Sequence, residues 1–157
     1  MKQQVHLELF TDKHTDALDV LLRNFSLEVF GTGTADVRSF VQNHWCIYLA
    51  MVGEQVVGFA SFSYNAYFGM RPPTIGYTYL YVLPEFRRSR ATYMLAIQSG
   101  KLCSENNLAL ENYYASEESL RIGDKMKGTK LYECYIYEAD EVKKKFNRLT
   151  KTVKIKE

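Results

Sequence analysis

The sequence predicts a mixed α/β domain with a sheet of about six strands and about four flanking helices. Residues 46–62 read as two apolar strands joined by the turn Gly53-Glu54-Gln55, which is the pattern of a β-hairpin. A long apolar strand from Thr74 to Leu83 is followed by a helical pattern from Ala91 to about Asn106. Another strand then runs from Leu108 to Tyr114. This order makes one strand–helix–strand crossover, which is typical of α/β proteins.

The chain before the hairpin is predicted to contain one strand and two helices. Val5 to Phe10 alternates between apolar and polar residues and indicates the first strand. Thr11-Asp12 then offers helix-capping side chains. Apolar residues at helical spacing extend from Ala17 to Val29, and the segment Gly31-Thr32-Gly33-Thr34 ends that helix. A second, short helix is predicted from Val37 to about His44.

The remaining elements lie near the C-terminus, beyond the crossover. Ser116-Glu117-Glu118 provides a capping serine and an acidic first turn for a helix that Gly128 ends. Lys130 to Tyr137 is predicted to be the last strand. We therefore expect a single domain over residues 1–140 and a basic C-terminal tail over residues 141–157.

Size and composition favour one soluble domain. The chain has 157 residues, and its net charge of +2 is too small to indicate a nucleic-acid-binding protein by itself. Cys46, Cys103 and Cys134 have no metal-ligand spacing, so free thiols in a reducing compartment are expected. The N-terminus lacks the apolar core of a signal peptide, and no stretch approaches the roughly 20 apolar residues that span a bilayer. The expectation is a cytoplasmic protein without membrane association.

The sequence VLPEFRRSRATYML follows the fourth predicted strand. It resembles the signature of the GCN5-related N-acetyltransferase (GNAT) superfamily, and the resemblance covers about residues 5 to 138. That signature is Arg or Gln, two variable residues, Gly, one variable residue, and Gly or Ala. Arg87 matches its first position, whereas Arg90 replaces the glycine and Thr92 replaces the last small residue. The resemblance implies a mixed, mostly antiparallel central sheet.

The resemblance also implies that acetyl-CoA is the cosubstrate, and no metal is expected. A helix that begins after a strand leaves its first backbone N–H groups unpaired, and these groups attract an anion such as a pyrophosphate. The residues implied in pyrophosphate binding are Arg87, Arg88, Ser89, Arg90, Ala91 and Thr92. Those implied in pairing with the pantetheine arm are Leu80, Tyr81 and Val82.

Arg90 leaves two alternatives open. Its guanidinium can form a charged hydrogen bond with a phosphate, or its side chain can fill the space that glycine leaves free for the pyrophosphate. Outside this position between a strand and a helix, the sequence RRSR would be read as a solvated basic turn.

Acetyl transfer to an amine needs a neutral amine and a proton that returns to the leaving thiolate. Members of this family often carry a carboxylate on the fourth strand, but Gly76-Tyr77-Thr78-Tyr79-Leu80 contains none. The tyrosine that often serves as the acid corresponds to Asp124 here. The asparagine often found near the start of the same helix corresponds to Glu117.

Three other residues are candidates for the chemistry. Tyr79 and Tyr114 lie on neighbouring predicted strands, and a tyrosine can donate a proton to a thiolate. Glu111, on the fifth predicted strand, is the candidate base. The alternatives are that the tyrosines pack in the core or cleft and that Glu111 lies on a solvated strand face.

The leading hypothesis is an N-acetyltransferase that transfers acetyl from acetyl-CoA to a primary amine within a ternary complex. One alternative is a protein of the same fold that has lost catalysis and serves as a binding or structural module. A weaker alternative is a nucleic-acid binder that uses the arginine turn and the lysine-rich tail.

The acceptor is expected to be a small molecule or a protein amine. The aromatic residues Tyr64, Tyr67 and Phe68 follow the third predicted strand and favour an apolar or flat acceptor, or a protein surface. The tyrosine-rich last strand, within LYECYIYEAD, is a candidate edge for pairing two copies of the chain. His6, His14 and His44 lack metal-ligand spacing, and His14 is expected on an exposed helix.

Overall fold

The computed structural model describes residues 4–66, 72–113, 129–131, 134–137, 139–140, 142 and 144. The chain divides into two compact units. The first contains the described residues up to Phe62 together with Tyr79–Ala96. The second contains Ser63–Thr78 and the described residues from Ile97 onward. Among the described residues, no helix combines the length and the apolar character needed to cross a lipid bilayer.

The elements are those of a mixed α/β fold. In chain order the strands are β1 (Val5–Leu9), β2 (Cys46–Val52), β3 (Gln55–Asn65), β4 (Thr74–Val82), β5 (Ala109–Tyr113), β6 (Thr129–Leu131) and β7 (Cys134–Tyr137). The α-helices whose ends are described are α1 (Thr15–Phe30), α2 (Val37–Gln42) and α3 (Arg90–Asn106), and residues 139–140, 142 and 144 are helical as well. Two 3-10 turns, Asp12–His14 and Pro84–Phe86, precede α1 and α3.

The strand order is β1-β2-β3-β4-β5-β7-β6. The pairs β1–β2, β2–β3, β5–β7 and β6–β7 are antiparallel, and β4–β5 is parallel, which confirms the predicted mixed, mostly antiparallel sheet. The prediction of a single last strand over residues 130–137 was wrong, because β6 and β7 pair with each other instead. The helix predicted between Ser116 and Gly128 lies outside the described residues.

In the first unit, α1 packs its apolar stripe onto the sheet. Gly31 ends the helix in the left-handed region at φ 73°, and its N–H donates to the Leu27 carbonyl at 3.1 Å. Val20 belongs to the same apolar pattern but is 58% exposed. The face of α1 that is buried is therefore narrower than the helical spacing predicted. The buried core of this unit consists of Leu18, Leu21, Leu22, Ile47, Leu49, Met51, Phe59 and Tyr81.

His14 is buried, contrary to the expectation of an exposed position. Its Nδ1 accepts a hydrogen bond from the Thr11 backbone N–H at 3.0 Å, so its Nε2 carries the proton. That Nε2 donates to Glu8 on β1 at 2.7 Å. The histidine therefore ties the first strand to the start of α1.

In the second unit, β4 begins beside β5. Their parallel register pairs Thr74 with Ala109 and Gly76 with Glu111. A Cβ atom at Gly76 would lie 2.7 Å from the Glu111 carbonyl oxygen, so only glycine permits this approach. The opposite edge of β5 pairs with β7, where Glu111 faces Ile136 in the register.

Candidate functional site

The turn from β4 to α3 is held by backbone hydrogen bonds. The Leu83 N–H donates to the Val57 carbonyl at 2.9 Å, which attaches the end of β4 to β3. The Phe86 N–H donates to the Leu83 carbonyl at 2.9 Å and closes the 3-10 turn. Pro84 occupies its first position, where a missing N–H costs nothing. The chain therefore leaves the strand along a defined path.

Arg88 adopts a left-handed backbone conformation, with φ 60°. This region costs a residue with a side chain about 1–2 kcal/mol and is more often occupied by glycine. Its side chain is exposed. Residues in such conformations cluster at ligand-binding sites, where the surrounding structure compensates for the strain.

Ser89 caps the N-terminus of α3. Its Oγ accepts a hydrogen bond from the Ala91 N–H at 3.2 Å and donates to the Phe86 carbonyl. The Tyr93 N–H donates to the Ser89 carbonyl at 3.4 Å, which starts the helical ladder. Ser89 thus satisfies one helix-terminal N–H from within the chain.

Arg87 is fixed by three contacts within the first unit. Its Nε donates to the Val82 carbonyl at 2.9 Å, and its Nη2 donates to Glu28 Oε2 at 2.6 Å. Its guanidinium carbon lies 5.5 Å from the centroid of the Tyr81 ring, in a cation–π arrangement. The hydrogen bond from Arg87 lowers the pKa of Glu28 below its ordinary value. Burial, followed by the neighbouring Glu28 carboxylate, raises the pKa of Tyr81.

Two side chains at the start of α3 bear on anion binding. The Thr92 hydroxyl is buried, and none of the described residues forms a hydrogen bond with it. A buried hydroxyl without a partner is costly, and an anion at the helix N-terminus would supply an acceptor. Arg90 is half-buried, and its Nε is shielded from solvent. The orphaned Thr92 hydroxyl is therefore the feature of this turn that fits a phosphate-bearing ligand.

The end of β4 is packed closely against β3. A Cβ atom at Gly58 would lie 2.8 Å from the Tyr81 carbonyl oxygen and 3.0 Å from Val82 Cγ2. Tyr81 and Val82 are buried, whereas Leu80 is 42% exposed. Of the three side chains predicted beside the pantetheine arm, Leu80 is the accessible one.

Tyr79 has the contacts of a packing residue. Its ring meets Phe25 at 5.1 Å between centroids and stacks near Phe40 at 6.1 Å. Its backbone N–H donates to Ser61 Oγ at 3.1 Å. These contacts match the packing alternative given for this tyrosine. Tyr114, the other candidate acid, lies outside the described residues.

Glu111 belongs to the second unit and is 1% exposed, so the alternative of a solvated strand face was wrong. Thr74 Oγ1, itself buried, donates to Glu111 Oε2 at 2.6 Å. Asn65 Nδ2 lies 3.5 Å from Thr74 Oγ1 and can donate to it.

The other candidates have simpler surroundings. Cys46 and Cys103 are free thiols, and burial raises their pKa values to about 11 and about 12. They are therefore protonated at neutral pH and resemble small apolar residues. Tyr64 is exposed, while Tyr67 and Phe68 lie outside the described residues. No group of three or more metal-ligating side chains was found in the part of the chain that the structure describes.

Glu28 was not predicted as a site residue. It is 59 residues from Arg87 in the chain and belongs to the exposed side of α1. Local patterns contain no signal for such a pair, because an acidic residue on an exposed helix face is common.

Neither the protein-family models nor the sequences of curated proteins match this chain. Solved structures do resemble it. A mutant of the toxin AtaT, bound to the C-terminus of the antitoxin AtaR and acetyl-CoA, has a TM-score of 0.67 at 12% identity and covers 92% of this chain and 99% of its own. An acetyltransferase of the GNAT family from Staphylococcus aureus Mu50 has a TM-score of 0.65 at 11% identity, covering 87% of this chain and 99% of its own.

A third similar structure is an aminoglycoside acetyltransferase from an uncultured soil metagenomic sample, in complex with sisomicin. Its TM-score is 0.62 at 14% identity, and the match covers 81% of this chain and 90% of the other. The chain therefore has the fold of the GCN5-related N-acetyltransferases, which confirms the resemblance found in its sequence.

Proposed function

We propose that this protein transfers an acetyl group from acetyl-CoA to a primary amine, directly within a ternary complex. The observation that carries the proposal is the turn from Arg87 to Thr92, which contains three arginines and opens α3. The fold supports it, since the AtaT structure was determined with acetyl-CoA bound.

The cosubstrate would be held by the first unit. Arg87, Arg88, Arg90 and the Thr92 hydroxyl are proposed to bind the pyrophosphate, together with backbone N–H groups at the start of α3. Leu80 is proposed to line the pantetheine arm, with the backbone of Tyr81 and Val82 beside it. Acetyl-CoA would supply a thioester carbonyl that is activated for attack by an amine.

Glu111 is proposed as the general base that accepts a proton from the acceptor amine. Its hydrogen bond with Thr74 supports this role, because it fixes the orientation of the Glu111 carboxyl group. Tyr79 and Tyr114 remain the proposed donors of a proton to the departing thiolate.

The acceptor is proposed to be a small molecule or a protein amine. Among the similar proteins, the aminoglycoside acetyltransferase was solved with sisomicin and the AtaT toxin with its antitoxin. The exposed Tyr64, on β3, gives a flat surface that suits either kind of acceptor.

A catalytically inactive protein of this fold is the second candidate. The ion pair between Arg87 and Glu28 favours it, because the arginine at the first signature position already has an anionic partner. The inactive alternative is also favoured by Arg90 and Thr92, because the family usually has small residues at these two positions.

Thermal unfolding in the presence of acetyl-CoA tests the proposal. Ligand at about 100 times its Kd stabilises the native state by about 2.7 kcal/mol, so the melting temperature should rise with concentration. Acetate at equal concentration is the control and should give no shift. Mass spectrometry of sisomicin, spermidine and a lysine-containing peptide then tests acetylation. A shift without acetylation of any amine favours the inactive alternative, and no shift at millimolar acetyl-CoA contradicts cosubstrate binding.

A further inference from the structure

The ion pair between Glu28 and Arg87 joins the last turn of α1 to the turn before α3. Glu28 Oε2 lies 2.6 Å from Arg87 Nη2. A carboxylate at this position places a negative charge beside the residues that we propose for the pyrophosphate. Like charges repel, and a polyanionic ligand therefore meets both an attractive arginine and a repulsive glutamate.

Arg87 does not depend on Glu28 alone for its orientation. Its Nε is fixed by the Val82 carbonyl at 2.9 Å, and its guanidinium lies over the Tyr81 ring. The Val82 contact does not involve Glu28, and glutamine at position 28 would keep an oxygen that can accept a hydrogen bond from the neighbouring Tyr81 hydroxyl. A neutral side chain at position 28 should therefore change the charge near the turn more than its geometry.

The pair is also easy to break. The side chains of Arg87 and Glu28 are 42% and 43% exposed, and exposed ion pairs contribute about 0–1 kcal/mol to stability. A pyrophosphate carries more negative charge than one carboxylate and accepts bidentate hydrogen bonds from a guanidinium. It is therefore able to compete with Glu28 for Arg87.

We propose that Glu28 is an internal competitor of the cosubstrate: its carboxylate occupies Arg87 in the free protein and thereby lowers the affinity for acetyl-CoA. This inference rests on the proposed function, since it takes the turn from Arg87 to Thr92 as the pyrophosphate site. Binding would exchange the Glu28 partner of Arg87 for a phosphate oxygen, which separates the last turn of α1 from the start of α3.

The test compares Glu28→Gln with the wild-type protein by calorimetric titration of acetyl-CoA. Glutamine keeps the size and a hydrogen-bonding oxygen but removes the charge. We expect binding about three- to ten-fold tighter in Glu28→Gln at low ionic strength and a smaller difference at high salt. The matched control is Asp19→Asn, which breaks the exposed Asp19–Arg23 pair of 2.9 Å on the same helix and should leave the affinity unchanged.

Each outcome decides the question. Weaker binding in Glu28→Gln would show that Glu28 positions Arg87 for the ligand, and equal binding would show that the pair does not compete; either result overturns the inference. Binding by Glu28→Gln alone, with none by the wild type, would support strong competition. If neither protein binds acetyl-CoA, the proposed function fails, and the inference fails with it. Unfolding midpoints of the ligand-free wild type, Glu28→Gln and Asp19→Asn show whether each protein is folded.

Discussion

The hydroxyl of Thr74 donates a 2.6 Å hydrogen bond to the carboxylate of Glu111, and the two residues come from adjacent parallel strands. Both side chains are almost completely buried. A buried carboxyl group is costly unless it is hydrogen-bonded, so this bond satisfies one of the Glu111 oxygens. Gly76 supports it by letting the Glu111 backbone approach β4.

Thr74→Val should therefore destabilise the protein by about 1–3 kcal/mol, because the shape is kept while the donor to Glu111 is lost. Urea unfolding measures the change. Thr74→Ser is the control, since it keeps the hydroxyl and should cost less than the valine. Equal stability of the valine and serine variants would contradict the importance of this hydrogen bond.

Gly58→Ala should destabilise the first unit and weaken acetyl-CoA binding. The new Cβ would lie 2.8 Å from the Tyr81 carbonyl oxygen, so the end of β4 must move. Overpacking of this kind costs typically about 1–3 kcal/mol. Gly33→Ala is the matched control, because nothing lies within 4 Å of a Cβ there. Urea unfolding measures the change. If Gly58→Ala is as stable as the wild type, β3 and β4 can move apart without loss of folding free energy, which contradicts the prediction.

Arg90→Ala should weaken acetyl-CoA binding about three- to ten-fold, because a cationic side chain at the start of α3 favours an anionic ligand. The backbone of Arg90 is not left-handed, so its replacement should leave the path of the turn intact. Calorimetric titration measures the affinity. Tighter binding in Arg90→Ala would show instead that the side chain obstructs the pyrophosphate.

Acid should remove a stabilising contribution of Glu8. Hydrogen bonds from His14, and then from His6, lower the pKa of Glu8 from 4.5 to about 2. The unfolded chain therefore takes up this proton at higher pH than the folded one. The contribution is complete above about pH 4.5 and is lost as the pH falls towards 2. Urea midpoints over this range should decline less in Glu8→Gln than in the wild type, and parallel declines would contradict the assignment.

The predicted elements agree with the structure where local pattern decides the conformation. The hairpin of β2 and β3 was predicted because its apolar runs flank a glycine turn, and Gly53 indeed has φ 59°. The last strand was predicted as one element because the residues from Lys130 to Tyr137 are mostly apolar or aromatic. Such a run does not reveal where the chain reverses.

The site was predicted less completely, because side-chain environment depends on distant residues. The turn from Arg87 to Thr92 was identified through its position between a strand and a helix. The burial of Glu111 and its bond with Thr74 depend on strand pairing over 37 residues of sequence. Arg87 and its ion-pair partner Glu28 are 59 residues apart in the sequence, and no local pattern encodes this pair.

The central claim is that acetyl-CoA binds at the turn that opens α3. Backbone amide resonances recorded by nuclear magnetic resonance during titration with acetyl-CoA test it most directly. We expect the largest shifts at the amides from Arg88 to Thr92, with further shifts from Leu80 to Val82. Unchanged resonances at millimolar acetyl-CoA, or shifts confined to other parts of the chain, would contradict it.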